Sequence, residues 1–220
     1  MSILQEREDS IRAAVALEPV DKVPLISGAA AVVAPATGHT VAELLKDFDL
    51  NCEMGIEYTK MLGNVAGAQF TIAGPEGLPG LWLSNIQVPG EDIADDQLWQ
   101  VLEEELVTDE DYDKIIEGGY GPWYTDFCKN RLRDCQARIQ PLLNYLPIAN
   151  KKFNDAGYPV FKDAYLESPF EMMCGGRSLM EMMIDIMEQP DKIDAVFEKV
   201  HEFNLAGYEA QFSGPGTPMG

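Results

Sequence analysis

Basic residues are scarce in this 220-residue chain, which has 16 Lys and Arg against 37 Asp and Glu and a formal net charge of −21. Binding to nucleic acid or to an anionic membrane surface requires a basic face that attracts phosphate groups and releases counterions. The composition therefore argues against both kinds of partner. The longest apolar run, residues 29–36, is less than half of the about 20 residues that a membrane span needs.

Cysteine is also sparse, and the four cysteines do not form a C-x-x-C pair. The first ten residues are polar and lack the apolar core of a signal peptide. We therefore expect a cytoplasmic protein whose thiols are mostly free. Cys52 falls in an apolar helical stripe and is predicted to be a core residue.

Several well-known catalytic motifs are absent. The sequence has no glycine-rich nucleotide loop, no G-x-S-x-G nucleophile elbow and no H-E-x-x-H zinc motif. Gly175-Gly176 precedes a predicted helix, and with Arg177 it could hold an anion at the helix N-terminus. An ordinary loop before a capped helix explains the same residues.

Short apolar strands alternate with amphipathic helices along the chain. Thr40 with Glu43, and Ser178 with Glu181, form T/S-x-x-E patterns that predict helix starts. The predicted segments are a helix over residues 2–17, strands over 23–26, 69–72 and 159–162, a hairpin arm over 81–88, and helices after residues 40, 108, 122, 141, 178 and 190. Three strand–helix units of this kind predict an α/β fold with a parallel sheet, either doubly wound or part of a barrel.

Candidate functional residues follow the predicted strands, because the carboxyl ends of parallel strands usually hold the ligand contacts. Ser27 and His39 follow the first strand, Glu76 the second, and Tyr165 and Glu167 the third. We predict His39, Glu76 and Glu167 as catalytic groups and Ser27 and Tyr165 as substrate contacts. His39 could also be a metal ligand or a surface residue before a helix cap, and Tyr165 could stack on a planar ligand.

Acidic residues are concentrated in residues 91–113, and no Lys, Arg or His occurs between Lys60 and Lys114. A solvated, solubilising surface is one interpretation of this segment. The other is a docking face for a basic partner protein.

Residues 12–26 read R-A-A-V-A-L-E-P-V-D-K-V-P-L-I, a predicted helix followed by the entry to the first predicted strand. This run resembles the opening helix of the uroporphyrinogen decarboxylase superfamily and the "P-D-[RK]-V-P" entry to that family's first strand. Residues 168–193 resemble its third strand–helix unit, with a "G-x-P-F" loop here written S-P-F and a "D-x-x-x-x-P-[DE]" turn here written D-I-M-E-Q-P-D. The acidic middle, with P-G-E-D and L-W-Q-V, is similar to members near the corrinoid-dependent methyltransferases.

The resemblance implies a TIM-type (β/α)8 barrel, of which residues 1–220 would be a single, incomplete domain with about three βα units and a leading helix. It implies transfer of a methyl group between a small substrate or thiol and a corrinoid carried on a partner protein. It also implies zinc, but the H-x-C pair and later cysteine that bind zinc in the family belong to its C-terminal half and are not found in this sequence. A half-barrel has open strand edges, so we expect it to pair with a second half-barrel chain or with a copy of itself.

Two other functions stay open. The decarboxylase branch holds its tetrapyrrole carboxylates with arginines after the first strand, but residues 26–35 contain no arginine. The tyrosine that the family has after its "P-[FW]-T" turn is missing as well, since residues 172–175 read M-M-C-G. The remaining alternative is a non-catalytic barrel remnant that binds a partner protein through its acidic segment.

Overall fold

A computed structural model describes residues 1–28, 30–161 and 167–213 of the chain. Within these ranges the chain forms eleven helices and four short strands. The helices are α1 (Ile3–Val15), α2 (Val33–Ala36), α3 (Val41–Lys46), α4 (Phe48–Met61), α5 (Leu78–Trp82), α6 (Asp109–Gly118), α7 (Tyr120–Asn130), α8 (Cys135–Asp155), α9 (Pro169–Arg177), α10 (Leu179–Glu188) and α11 (Pro190–Ser213). The strands are β1 (Leu25–Gly28), β2 (Val65–Phe70), β3 (Ile86–Gln87) and β4 (Gln100–Val101).

The first two predicted strands pair in parallel, as the strand–helix alternation indicates. Ser27 of β1 lies opposite Ala68 of β2. A third parallel segment adds to the other side of β2, where Ala68 forms a bridge with Val160. The Ala68 N–H donates to the Pro159 carbonyl at 2.9 Å, and the Phe161 N–H donates to the Ala68 carbonyl at 3.0 Å. Strand β2 is therefore the middle of three neighbouring parallel segments.

The closed barrel stays a prediction. The parts of the chain that the structure describes contain this parallel group and one antiparallel pair, β3 with β4, and no closed barrel. Crossovers between the parallel segments run through helices, through α4 before β2 and through α8 before residue 160. This is the connection that parallel strands require.

The predicted hairpin arm over residues 81–88 is wrong for most of its length. Helix α5 occupies its first part, because Pro79 lies in the first turn of a helix, where its fixed φ is favourable. Leu83 ends that helix in the left-handed conformation, with φ of 53°, and is completely buried. Only Ile86 and Gln87 pair, with Val101 and Gln100 of β4.

Helix capping explains where α3 and α4 begin. The Thr40 hydroxyl accepts a hydrogen bond from the Glu43 N–H, and the Glu43 carboxylate accepts one from the Thr40 N–H, so the predicted capping box is confirmed. The apolar stripe that follows predicted one continuous helix. Extended backbone at Asp47 instead divides it, and the Asp47 carboxylate caps the new helix by accepting from the N–H groups of Asp49 and Leu50.

Two large apolar cores hold the elements together. One lies between α4, α8 and β2, and it includes Cys52 and Phe153, which are both fully buried. The buried position of Cys52 confirms the sequence prediction. The other packs α6, α7, α9, α10 and α11 around Tyr112, Phe127 and Met173. The first of these cores positions the loop that follows β2.

Gly175 and Gly176 lie inside α9, so neither the anion site at a helix start nor the ordinary loop before a capped helix is correct for them. A Cβ at residue 176 would lie 2.7 Å from the Leu83 Cβ, and the same helix packs on the Trp82 backbone at Gly175. Arg177 is bound to the Asp185 carboxylate through its Nε at 2.7 Å. The two glycines therefore allow a close approach between α9 and the end of α5.

Among the described residues, no helix combines the length and the apolar character that crossing a membrane requires.

Candidate functional site

The loop after β2, residues 71–77, carries a buried carboxyl group, that of Glu76. Buried hydrogen bonds hold this loop in place. The Asn51 amide on α4 donates to the Ala73 carbonyl at 2.7 Å and accepts from the Ala73 N–H at 3.0 Å. The same amide nitrogen donates to the Leu44 carbonyl at 3.0 Å. Thr71 donates to the side chain of Asn150 on α8 at 2.9 Å. The loop is thus fixed to helices on both sides.

Glu76 is buried, with 9% of its surface exposed. Its Oε2 atom lacks a hydrogen-bond partner among the described residues, and the carboxylate packs against the backbone of Gly74. A Cβ at residue 74 would overlap that carboxylate, so glycine is needed there for the observed position of Glu76.

Burial raises the pKa of Glu76 above its ordinary value, because the charged form loses its hydration. A hydrogen bond from its own backbone and the positive charge of Arg138 act in the opposite direction and are weaker. Arg138 is already engaged, since its Nη2 lies 2.6 Å from the Glu91 carboxylate. Burial therefore disfavours ionisation of Glu76, and the nearby cation Arg138 is paired with Glu91.

Ser27 lies close to this region along the sheet. It is buried in β1 and pairs with Ala68 of β2, two residues before the end of the latter strand. Because β1 and β2 are parallel, their carboxyl ends share an edge, and Ser27 and the loop of Glu76 both belong to that edge.

His39 has a local role at the start of α3. Its Nδ1 lies 3.5 Å from the carboxylate of Glu43, the residue that caps the helix. The pKa of Glu43 is lowered mainly by its hydrogen bonds from Thr40, with a smaller contribution from His39. The structure thus places His39 in the capping arrangement, which fits the alternative of a surface residue beside a helix cap.

Glu167 lies in a different cluster. Its carbonyl accepts a hydrogen bond from Asn204 of α11 at 2.9 Å. The neighbouring Glu167 carboxyl group raises the pKa of Glu171. No hydrogen bond or ion pair among the described residues joins His39, Glu76 and Glu167. Tyr165 lies outside the described residues.

Asn51 was missed by sequence reasoning, although a signal for it exists. It follows Leu44 by seven residues and Phe48 by three, so it falls on the apolar stripe of α3 and α4. A polar side chain on an apolar stripe must find hydrogen-bond partners when it is buried. Asn51 is 1% exposed and finds them in the loop of Glu76.

The acidic segment is not simply a solvated surface. Asp111 is completely buried and accepts hydrogen bonds from Arg131, Trp123 and Thr108. Other acids of the segment pair with cations from later in the chain. These pairs are Glu91 with Arg138, Asp92 with Arg133, and Asp109 and Asp113 with Lys192. Part of the segment therefore attaches α6 and the preceding loop to α8 and α11.

Among the cavities on the surface of the described residues are three that Glu76 does not line. One of about 610 Å³ lies between α1 and the amino ends of β1 and β2, and its lining includes Arg7, Lys22 and Asn64. The other two, of about 320 and about 390 Å³, lie along α9 and α10. Within the described ranges, no group of three or more His, Cys, Asp or Glu residues could hold a metal ion.

Comparisons with known proteins leave the family open. No family model matches the chain, and no significant match was found among curated proteins or solved structures. The similarity to the uroporphyrinogen decarboxylase superfamily therefore stays a prediction from the quoted motifs.

Proposed function

We propose that this chain is part of a uroporphyrinogen decarboxylase-type barrel and transfers a methyl group between a small substrate or thiol and a corrinoid on a partner protein. The observation that carries this proposal is the buried carboxyl group of Glu76 in the loop after the central parallel strand. In parallel α/β folds, reacting groups lie at this end of the strands. The parallel order of β1, β2 and residue 160 is the arrangement with which such a barrel begins.

Glu76 would act as the acid–base group. When the bond between the methyl carbon and its heteroatom breaks, the bonding electron pair stays on the heteroatom, which takes the proton of the neutral Glu76 carboxyl. In the opposite direction, the Glu76 carboxylate would accept the proton of a thiol as its sulfur takes the methyl group. A carboxyl group with a raised pKa suits this role because it can hold its proton nearer to neutral pH. Arg138 is close enough to stabilise the carboxylate once it forms.

Asn51 would serve as the positioning residue for this acid. Its two hydrogen bonds with Ala73 fix the loop three residues before Glu76. Ser27, at the same sheet edge, would contact the substrate. The catalytic roles of His39 and Glu167 and the substrate contact of Tyr165 remain proposals, to be tested after Glu76.

A corrinoid, when bound, would supply the centre that accepts or donates the methyl group. None of the three cavities is lined by Glu76, so we assign no residues to a corrinoid. Zinc does not fit the described residues either, since they contain no suitable ligand cluster.

Exposed apolar side chains on β1 and β2 suggest that a further chain segment covers these strands. Leu25 and Ile26 of β1 and Phe70 of β2 are 41–53% exposed. In a finished barrel these side chains would be covered by neighbouring strands. We propose a cytoplasmic protein in which a second half-barrel chain, a second copy or the corrinoid protein covers this face.

The proposal is tested by incubating the purified full chain with chemically reduced cobalamin and a panel of O-, N- and S-methyl compounds, with and without added zinc. Methylcobalamin formation is followed by absorbance. We expect transfer from at least one donor, with a rate at least about 100-fold lower for Glu76→Gln, because a general acid contributes roughly that factor or more. Glu57→Gln is the matched control, since Glu57 is exposed on α4, and it should keep the wild-type rate.

Absence of transfer from every donor would contradict the proposal, as would equal rates for the wild type and Glu76→Gln. Uroporphyrinogen is included as a separate substrate. Its turnover would replace the methyltransferase proposal with the decarboxylase alternative.

A further inference from the structure

The outer face of α10 is apolar and exposed. Met180, Met183, Ile184 and Met187 are 70%, 50%, 39% and 81% exposed, respectively. Their spacing of three, four and seven residues places them on one stripe of the helix. The same spacing forms the seam along which two helices pack side by side.

The apolar stripe of α10 does not pack into the hydrophobic core. Helix α10 faces the interior with a different side, through the fully buried Met182 and the partly buried Ile186. Asp185, also buried, receives hydrogen bonds from Arg177 and Tyr112. A helix that already has one buried side usually presents charged residues outwards. Here the second apolar side indicates an interaction surface.

The stripe forms one wall of a longer groove. A cavity of about 390 Å³ lies against it and is also lined by Leu179 and Glu103. Those two residues line the neighbouring cavity of about 320 Å³ as well, which continues to Trp82, Cys174 and Glu171. We call the two cavities together the α10 groove.

The charges of the α10 groove have one sign. Glu103 and Glu171 are its charged lining residues, and both are exposed. Helix α10 also carries Glu181 and Glu188 and contains no Lys or Arg, while its third acid, Asp185, is buried on the inner side. The cation nearest in sequence, Arg177, is bound to Asp185. The groove therefore combines an apolar floor with an acidic rim.

We propose that the α10 groove binds an amphipathic basic helix of a partner protein. The heptad-like stripe matches the apolar face of such a helix, and Lys or Arg beside that face would meet Glu103 and Glu171. Methionine side chains are flexible and polarisable, which suits a surface that adapts to a helix. A second copy fits less well, because each copy carries a net charge of −21 and would bring an acidic rim against the same rim. This surface is separate from the loop of Glu76, so the proposal does not depend on the methyltransferase function.

The experiment measures binding of two designed helical peptides to the purified full chain by isothermal titration calorimetry. Both peptides have leucines at heptad seam positions; one has lysines at the flanking positions and the other has glutamates. We expect the basic peptide to bind at least about tenfold more tightly, and its affinity to fall as salt screens the rim charges. Equal binding of the two peptides would contradict the proposal.

Two variants separate this groove from general attraction to an acidic protein. Met183→Gln combined with Met187→Gln keeps the charge and alters only exposed side chains, so the fold should persist, as circular dichroism would verify. We expect it to lose at least about tenfold in affinity for the basic peptide. Met61→Gln, at an exposed methionine of α4, is the control and should bind as the wild type does. Undiminished binding by the double variant would overturn the proposal.

The oligomeric state distinguishes a partner helix from a second copy of this chain as the occupant of the α10 groove. Light scattering without peptide measures the oligomeric state of the wild type and of the Met183→Gln, Met187→Gln variant. We expect the two proteins to have the same oligomeric state, with no dimer that depends on these methionines. Such a dimer would assign the groove to a second copy and would overturn the proposal of a basic partner helix.

Discussion

The Asn51 side chain of α4 pairs with the backbone of Ala73 in both directions, donating to its carbonyl at 2.7 Å and accepting from its N–H at 3.0 Å. The Asn51 amide pairs with the backbone N–H and carbonyl of the loop after β2, as the backbone of a neighbouring strand would. It satisfies both buried backbone groups of Ala73, which water cannot reach. The loop that carries Glu76 is thereby fixed to the same helix that packs beneath the parallel strands.

Removing that amide should destabilise the fold. Asn51→Ala leaves the N–H and carbonyl of Ala73 and the carbonyl of Leu44 without their partner, and each buried group left unpaired costs about 1–3 kcal/mol. Allowing for relaxation, we expect the free energy of unfolding to fall by about 2–4 kcal/mol in urea denaturation. Asn64→Ala changes an exposed asparagine and should shift it by less than about 0.5 kcal/mol. An equal effect of the two variants would show that the amide does not hold the loop.

The buried carboxyl group of Glu76 predicts a pH-dependent stability difference. Burial raises its pKa in the folded state above the ordinary value of 4.5, so its contribution to stability is present at low pH and is lost as the pH rises through the raised pKa. Glu76→Gln keeps the shape but cannot ionise. The variant should match the wild type at acidic pH and be more stable than it at neutral pH, as measured by urea denaturation across pH. A variant that is less stable at every pH would contradict burial as the cause.

Asp111 predicts the opposite dependence. Burial opposes its ionisation, but hydrogen bonds from Arg131, Thr108 and Trp123 outweigh burial and hold its pKa well below 3.8. Its contribution is therefore present above that pH and is lost on acidification. Asp111→Ala should lower the free energy of unfolding at neutral pH by about 3 kcal/mol or more, because the partners are left unpaired.

This loss should shrink as the pH falls towards the lowered pKa of Asp111. Chemical denaturation at several pH values measures it. Glu110→Gln, at the exposed neighbouring acid, is the control and should have little effect. A loss that does not depend on pH would show that the charge of Asp111 is not what stabilises the fold.

A substitution at Gly67 tests whether the third parallel segment, residues 159–161, packs against β2. A Cβ at this position of β2 would lie 2.8 Å from the Pro159 carbonyl and 2.5 Å from the Phe161 ring. Gly67→Ala should push that segment away, lowering the free energy of unfolding by about 1–3 kcal/mol, the usual cost of overpacking. Amide hydrogen exchange of Ala68 and Phe161 should become faster. At Gly118 there is room for a Cβ, and Gly118→Ala should leave both measurements unchanged.

Local sequence patterns predicted the helix start and the core residue near the site correctly, but they did not predict where strand β2 begins. The Thr40–Glu43 capping box and the buried position of Cys52 depend on neighbouring residues and are confirmed. Strand β2 begins at Val65, four residues before the predicted start. Its apolar and small residues fit a buried strand, but the pattern alone does not show where α4 stops and the strand begins.

Contacts between distant residues account for most of what the sequence did not indicate. Asp111 looks like any other acid of its segment until Arg131 and Trp123 are brought to it by the packing of α7 on α6. The role of Asn51 depends on its hydrogen bonds with Ala73, 22 residues later in the chain, which the sequence around Asn51 does not indicate. His39, Glu76 and Glu167 were predicted from their places after strands, and the described contacts leave them in three separate surroundings.

The loop after β2 holds a carboxyl group, that of Glu76, whose charged form is disfavoured by burial. The most direct test is a carbon-13 NMR titration of the glutamate side-chain carboxyls, with Glu76 assigned by the resonance that disappears in Glu76→Gln. We predict a midpoint above the ordinary 4.5 for this resonance, because burial disfavours its charge. A midpoint at or below 4.5 would contradict the claim and remove the basis for assigning Glu76 as the acid of the reaction.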